Sequence, residues 1–327
     1  KTDLKNKLES IHRKSYPAYK SLRGSYTFGD FVLSIDHVQG DPFAAPSSLH
    51  VELPLAKAGF PEKYFEGRHT KTALEDLILR KFSRALDQYS FKAKGSGKSG
   101  LISTSRPGPE VMRRTAVEFT EKLLIVRFEV GFPANGRTIN AQELEKILLD
   151  FLPQIVKKCL YYQAWDKRLV QEGFELAENQ QKIREVLEER KLVAFCANGS
   201  ILPRKSGVSS QPLKDAVAFE SPKSMELAID LPFGGSIFGM GIPEGVTLII
   251  GGGYHGKSTL LQALEQGVYN HVKGDGREYV ITRVNALKLR AEDGRAVSNL
   301  DLSLFIHDLP NGKDTHCFST EDASGST

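Results

Sequence analysis

Along the chain the spacing of hydrophobic and polar residues changes several times, and each change marks a new element. Leu4, Leu8 and Ile11 recur at helical spacing and predict a basic helix or arm within residues 1–20. Phe31, Leu33 and Ile35 alternate with small or polar residues, so 23–37 carries a strand, which the turn formers of 38–43 break. A second strand is expected at 48–53. Residues 70–89 form an amphipathic helix through Ala73, Leu74, Leu77, Ile78 and Leu86. The apolar run 123–130 is a buried strand, 141–162 and 166–190 are helices, and 192–196 is a short strand. The second of those helices carries Glu, Lys and Gln on its outer face. Then Pro, Ser and Gly crowd into 201–212, a loop or linker that marks a domain boundary. Beyond it 224–230 and 235–240 are neighbouring strands, 246–250 is a short buried strand, Leu260, Leu261, Leu264 and Val268 mark a helix, and 278–284 and 286–290 are strands. The expected organisation is an N-terminal α+β domain over 1–200, a linker or loop at 201–222, and an α/β domain over 223–327.

The sharpest chemical signal sits between the strand at 246–250 and the helix behind it. Gly251, Gly252, Gly253, Tyr254, His255, Gly256, Lys257 and Ser258, followed by Thr259, fit the phosphate-binding pattern G-x-x-x-x-G-K-[ST] in the strand–loop–helix context it requires. Glycines let backbone N–H groups surround phosphate oxygens, and the helix adds the partial positive charge of its N-terminus. Lys257 is expected to neutralise the β and γ phosphates of ATP, or the β phosphate of ADP, and the Ser258 hydroxyl to complete a Mg²⁺ shell. A second candidate, Gly97-Lys98-Ser99, fails the pattern because position 92 is Lys, not Gly, and no buried strand precedes it. Its flexible Gly/Ser backbone and three lysines still suit an anion or an RNA phosphate.

Composition narrows the class. A chain of 327 residues exceeds one ordinary core, and 40% hydrophobic with 26% charged residues is the profile of a soluble protein. Cys159, Cys196 and Cys317 are few and far apart, which argues for a reducing, intracellular compartment. No apolar run is long enough to span a membrane. The sequence opens on Lys1, not Met, and reads as the interior of a longer gene product. Net charge is only +4, but residues 80–127 hold 11 Lys or Arg against 4 Asp or Glu, a local surplus of seven. Lys92, Lys94, Lys98, Arg106, Arg113 and Arg114 are the candidate nucleic-acid contacts; a plain solvated basic face is the other reading.

The tail Ala323-Ser-Gly-Ser-Thr327 is similar to the ABC signature loop. Together with Arg23-Gly-Ser-Tyr26, Asp36-His-Val-Gln-Gly-Asp-Pro-Phe43, Gly239-Met-Gly-Ile-Pro243, the phosphate loop, Arg290-Ala-Glu-Asp-Gly-Arg295 and 319–327, it makes the chain resemble the family called predicted ATPases of the ABC class, over nearly its whole length. The resemblance implies an ABC-type P-loop domain preceded by an N-terminal domain, in a homodimer with composite ATP sites. Ser324, Gly325 and Ser326 of one copy would contact the γ-phosphate held by the other. Glu292 would stand at the Q-loop position and touch Mg²⁺ or its water; a hairpin turn at 292–294 is the equal alternative. Phe233 and Phe238 are candidates for stacking on adenine, or core residues. No Asp-Glu pair follows the signature-like motif, so the expectation is a chain truncated ahead of Walker B, able to bind nucleotide but lacking the residues that hydrolyse it. Organellar members of the family are associated with RNA binding and RNA editing, which implies an ATPase coupled to RNA in the cytoplasm or mitochondrial matrix. A nucleotide-gated protein scaffold with little turnover, or DNA as the polymer, are the alternatives.

Overall fold

The computed structural model describes residues 1–251, 255–289, 296–308 and 312–319. In chain order the first half comprises α1 (Thr2–Ile11), β1 (Gly24–Phe28), β2 (Phe31–His37), β3 (Ser47–Pro54), α2 (Leu55–Ala58), α3 (Arg68–Asp87), β4 (Ile102–Ser103), β5 (Glu110–Val111), β6 (Val117–Phe119), β7 (Leu123–Val130), β8 (Ala134–Asn135), β9 (Thr138–Ile139), α4 (Ala141–Glu145) and α5 (Leu152–Cys159). The second half comprises α6 (Lys167–Glu189), β10 (Leu192–Ala197), β11 (Glu226–Asp230), β12 (Ser236–Pro243), α7 (Lys257–Gln266), β13 (Asn270–His271) and β14 (Val280–Thr282). Helices and sheets mix throughout, as the α/β reading expected. The chain divides into a compact unit, Lys1–Ala286, and a small one, Leu287–Thr327.

Six strands build the first sheet in the order β1-β2-β3-β7-β4, with β6 sharing the β7 edge with β4. Every pairing is antiparallel. The segment 23–37, read as one strand, is a hairpin: β1 and β2 pair with Phe28 opposite Phe31 across Gly29 and Asp30. One face of the sheet is apolar because the strands alternate. Leu49, Val51 and Leu53 of β3 lie beside Leu124, Val126 and Phe128 of β7, all buried. Helix α3 covers that face through Leu74, Ile78, Phe82 and Leu86, each fully buried aliphatic or aromatic side chain contributing about 1.5–3 kcal/mol. The helix predicted for 141–162 is observed as α4, a π-helical stretch Lys146–Phe151 and α5 in succession. Tyr16 and Tyr19 pack edge-on and donate their hydroxyls to the carbonyls of Phe132 (2.9 Å) and Pro133 (2.6 Å). The predicted N-terminal arm is thus pinned onto the chain beyond β7.

Helix α6 belongs to two cores. Its start contributes Val170 to the first, and its second half contributes Ile183, Val186 and Leu187 to another with Leu192, Phe195, Ile229 and Ile281. That second core lies on a four-stranded antiparallel sheet ordered β11-β12-β10-β14. Two strand expectations fail here. Residues 246–250 pair with nothing among the described residues, and Val246, Leu248 and Ile250 are exposed. Likewise 286–289 form no strand, and Leu287 and Leu289 are exposed. Apolar, β-favouring sequence is a tendency that only a neighbouring ladder converts into a strand. In the small unit, Leu300 and Phe318 exchange backbone hydrogen bonds (2.9 Å each) and Leu302 N–H donates to Thr315.

Candidate functional site

The loop–helix junction is built from the glycine at its hinge. Gly256 has φ +83°, in the left-handed region that side chains disfavour, and there the chain turns into α7. The N-cap is itself this glycine, so the first N–H groups of the helix lack the usual Ser, Thr or Asp acceptor at that position. Lys257, the first helical residue, folds its ammonium back to donate to the Gly251 carbonyl at 2.5 Å, across the loop. Ser258 lies exposed beside it and Thr259 is half-buried. Gly251, His255, Gly256, Lys257, Ser258 and Thr259 therefore come together at one helix N-terminus. Gly252, Gly253, Tyr254, Glu292, Ser324, Gly325 and Ser326 lie outside the described residues. The donor set fits a nucleotide's phosphates: a helix end with glycine at its N-cap, a lysine reaching over the loop, and a hydroxyl at the second helical position.

What holds α7 in place was not legible from the motif. Ala263 packs into a core with Ala194, Cys196, Met240, Ile242 and Val280, and Leu260 and Leu264 lean on it. At the far end, Gly267 passes so close to β14 that a Cβ there would lie 2.9 Å from the Val280 carbonyl oxygen. Thr282 fixes the register, its hydroxyl donating to Leu264 (2.7 Å) and its N–H to Gly267 (2.8 Å). Arg184 of α6 then spans the gap, donating to Thr282 (2.8 Å), Val268 (3.2 Å) and the Asn270 side chain (2.8 Å). Burial lowers that guanidinium to about 10. Asn179 and Gln180, one turn earlier, bond to Phe233, Tyr279, His271 and Glu278. Of the Glu, Lys and Gln expected on the outer face, Glu185, Glu188 and Glu189 are exposed, but Gln180 faces inward with Asn179 and Arg184 and ties the helix to the phosphate-loop region. Charged and amide side chains at helical spacing read the same from either side; only the partners distinguish them.

A second buried network anchors β13 to the approach of β14. Asp275 accepts from Arg204 Nη2 at 2.7 Å, and His271 Nδ1 lies 2.7 Å from the same oxygen. Burial pushes the Asp275 carboxyl up, but the bonds from His271 and Arg204 outweigh it and hold it below its usual range. Of the proposed adenine platforms, Phe233 packs edge-on against Phe174 and Phe238 is exposed.

The basic segment divides into two populations. Arg80 and Arg114 both grip the buried Asp76, at 2.5 and 2.7 Å. Arg106 pairs with Asp87 (2.7 Å), Arg113 and Arg127 with Glu118 (3.6 and 3.2 Å), and Lys81 sits 3.9 Å over the Trp165 ring. Arg114 is therefore a structural ion-pair residue, not an exposed phosphate contact. By contrast Lys92, Lys94 and Lys98 are exposed, and no ion pair ties their ammonium groups among the described residues; Lys92 Nζ lies 4.7 Å over the Tyr89 ring, Lys94 Nζ donates to the Phe91 carbonyl at 3.2 Å, and Lys94 N–H donates to Glu143 Oε2 at 2.8 Å. Their loop, read as flexible, is pinned: Ser96 N–H donates to Ala134, Lys98 N–H to Pro42 and Gly100 N–H to Gly131. Among the described residues no helix is long and apolar enough to cross a membrane.

Comparison with known proteins agrees with this architecture. Residues 1–163 match the model described as ATPase of the ABC class N-terminal, and residues 166–327 match the ABC ATPase P-loop domain. An uncharacterized protein of Methanocaldococcus jannaschii is 36% identical over 142 residues, covering 41% of this chain and 32% of that protein. The chain thus spans about a third of that relative's length. With the two matches meeting near the start of α6 and a lysine-bearing loop ahead of α7 where a P-loop belongs, the chain belongs to the ATPases of the ABC class.

Proposed function

We propose that the protein binds ATP at the loop ahead of α7 and couples that binding to a grip on RNA. The observation that carries the reading is the glycine N-cap of α7 with Lys257 poised over Gly251. In this reading Lys257 offsets the charge of the β and γ phosphates and Ser258 takes part in holding Mg²⁺. Bound Mg²⁺ would supply electrostatic stabilisation of the phosphates; Glu292 would stand near it. Ser324, Gly325 and Ser326 of a second copy would complete the site in a homodimer, and hydrolysis would need a carboxylate for water activation. We place the start of the nucleotide-binding domain ahead of residue 201, because β10 is an interior strand of the sheet that supports α7.

RNA is the proposed polymer because three exposed lysines, without ammonium–carboxylate ion pairs among the described residues, share one pinned loop, a pattern suited to phosphates and indifferent to sequence. Titration calorimetry tests the nucleotide: Lys257→Ala should abolish measurable ATP binding, and unchanged affinity would remove the assignment of the loop. Filter binding tests the polymer. Affinity for single-stranded RNA should fall by about 0.7 log units per phosphate contact for each log unit of salt. The triple reversal Lys92→Glu, Lys94→Glu, Lys98→Glu should remove retention at low salt, and intact retention would reduce the loop to a solvated face.

A further inference from the structure

We infer that the turn ending in Phe43 and the loop that follows Phe91 form a stacking platform for single-stranded nucleic acid, with bases lying on the two phenyl rings and backbone phosphates held by Lys92, Lys94 and Lys98. The inference rests on the RNA reading above and specifies which surface it uses and which form of nucleic acid it takes.

Two large aromatic side chains are displayed to solvent here by a backbone that is otherwise tightly built. The motif 36–43 contains Gln39, almost wholly buried, whose Oε1 accepts from the N–H groups of Ser47 (3.2 Å) and Phe132 (3.1 Å). Asp41 then caps the turn, its Oδ1 accepting from Phe43 N–H (2.8 Å) and Ala44 N–H (3.1 Å). All this ordering delivers Phe43 with 63% of its surface exposed. Pro42 next to it accepts from Lys98 N–H at 2.7 Å, which docks the lysine loop onto the turn. The Phe43 ring lies over Gly97, where an added Cβ would come within 2.9 Å of it. At the loop's other end Phe91 is 53% exposed and has φ +61°, a conformation that is an outlier for so bulky a residue. Its N–H donates to Gly100 at 2.7 Å, and its carbonyl accepts from Lys94 Nζ at 3.2 Å. Exposed phenyl rings cost solvation, and a strained backbone at one of them costs stability. Both make sense where the rings have a partner. Exposed lysines on one fixed loop, flanked by an exposed aromatic at its start and another on the turn it docks against, are what sequence-tolerant single-strand binding uses: a cationic track for the phosphates and π-faces that any base can cover. A duplex keeps its bases stacked on each other and offers such rings nothing.

Fluorescence anisotropy with a labelled oligo-uridine RNA, the same sequence annealed into a duplex, and inorganic polyphosphate as competitor tests this on the full chain. Phe43→Ala and Phe91→Gly should each weaken oligo-uridine binding by roughly tenfold or more. Polyphosphate should compete as before, and duplex binding should not change. Phe43→Trp should keep wild-type affinity. Phe91→Gly relieves the positive φ, so its thermal stability should hold or rise while its affinity falls; a purely structural ring would lower stability instead. If the wild type binds no oligonucleotide, the RNA reading and the platform fall together. If it binds and the phenylalanine variants bind as tightly, the platform is overturned and the RNA reading stands. Equal loss of oligo-uridine and polyphosphate would also overturn stacking, because the lysine loop alone would then have been disturbed.

Discussion

Replacing Asp275 by Asn removes a charge that two buried partners share, so it probes the frame around α7 without touching the phosphate loop. The Asp275 side chain is 2% exposed; Arg204 donates to it at 2.7 Å and His271 lies at 2.7 Å. Breaking a buried pair by removing one partner costs about 3–5 kcal/mol, chiefly because the surviving charge is left without compensation. An amide keeps one acceptor, and Arg204 Nη1 still donates to the Asp275 backbone carbonyl at 2.7 Å, so the lower end, about 3 kcal/mol, is expected. That lowers the folded-to-unfolded ratio on the order of 100-fold. Urea denaturation followed by circular dichroism at pH 7 should show the loss as a lower midpoint at unchanged slope. Adding Arg204→Met should recover part of it, since the uncompensated charge is then gone. The pH dependence has a definite sign. A carboxyl held below its usual range stabilises the fold above its unfolded value of about 3.9, and that contribution is lost as pH falls through the lower folded value. The gap between wild type and variant should therefore be constant from pH 7 to about pH 5 and close below about pH 3.9. A cost under about 1 kcal/mol at pH 7, or a gap that persists unchanged in acid, would refute the electrostatic account.

Gly256→Ala forces a side chain into the left-handed region and should cost about 1–2 kcal/mol of local stability while weakening ATP binding; calorimetry that shows unchanged affinity would contradict the role of that hinge. Arg114→Ala should destabilise by about 2–3 kcal/mol, because it strips a partner from buried Asp76, whereas Arg106→Ala, on an exposed pair, should cost at most about 1 kcal/mol. Urea midpoints compare the two directly. Cys317 is exposed, while burial pushes the Cys159 thiol up to about 11 and the Cys196 thiol to about 12. At pH 8 a thiol reagent should modify one cysteine per folded chain and reach the other two only after denaturation.

The sequence by itself determined the elements whose signal is local. Period-2 alternation located β2, an apolar run located β7, helical spacing located α3, and G-x-x-x-x-G-K-S located the junction at Gly256 and Lys257. Each of these depends on residues within a few positions of one another, where side-chain direction follows directly from backbone geometry. Tertiary structure decided whatever depends on a distant partner. Residues 246–250 have the composition of a buried strand, yet form no ladder among the described residues, because strand pairing is not encoded in the strand alone. Arg106, Arg113 and Arg114 read like Lys92, Lys94 and Lys98, until Asp87, Glu118 and Asp76 claim the first three and leave the lysines to solvent. Nothing local to Phe43 or Phe91 tells an exposed aromatic from a buried one. Gln39, Asp41 and the loop backbone turn them outward, through hydrogen bonds that run from residue 39 as far as residue 132. Local spacing fixes which way a side chain points from its own element; only the packing of elements fixes what it meets there.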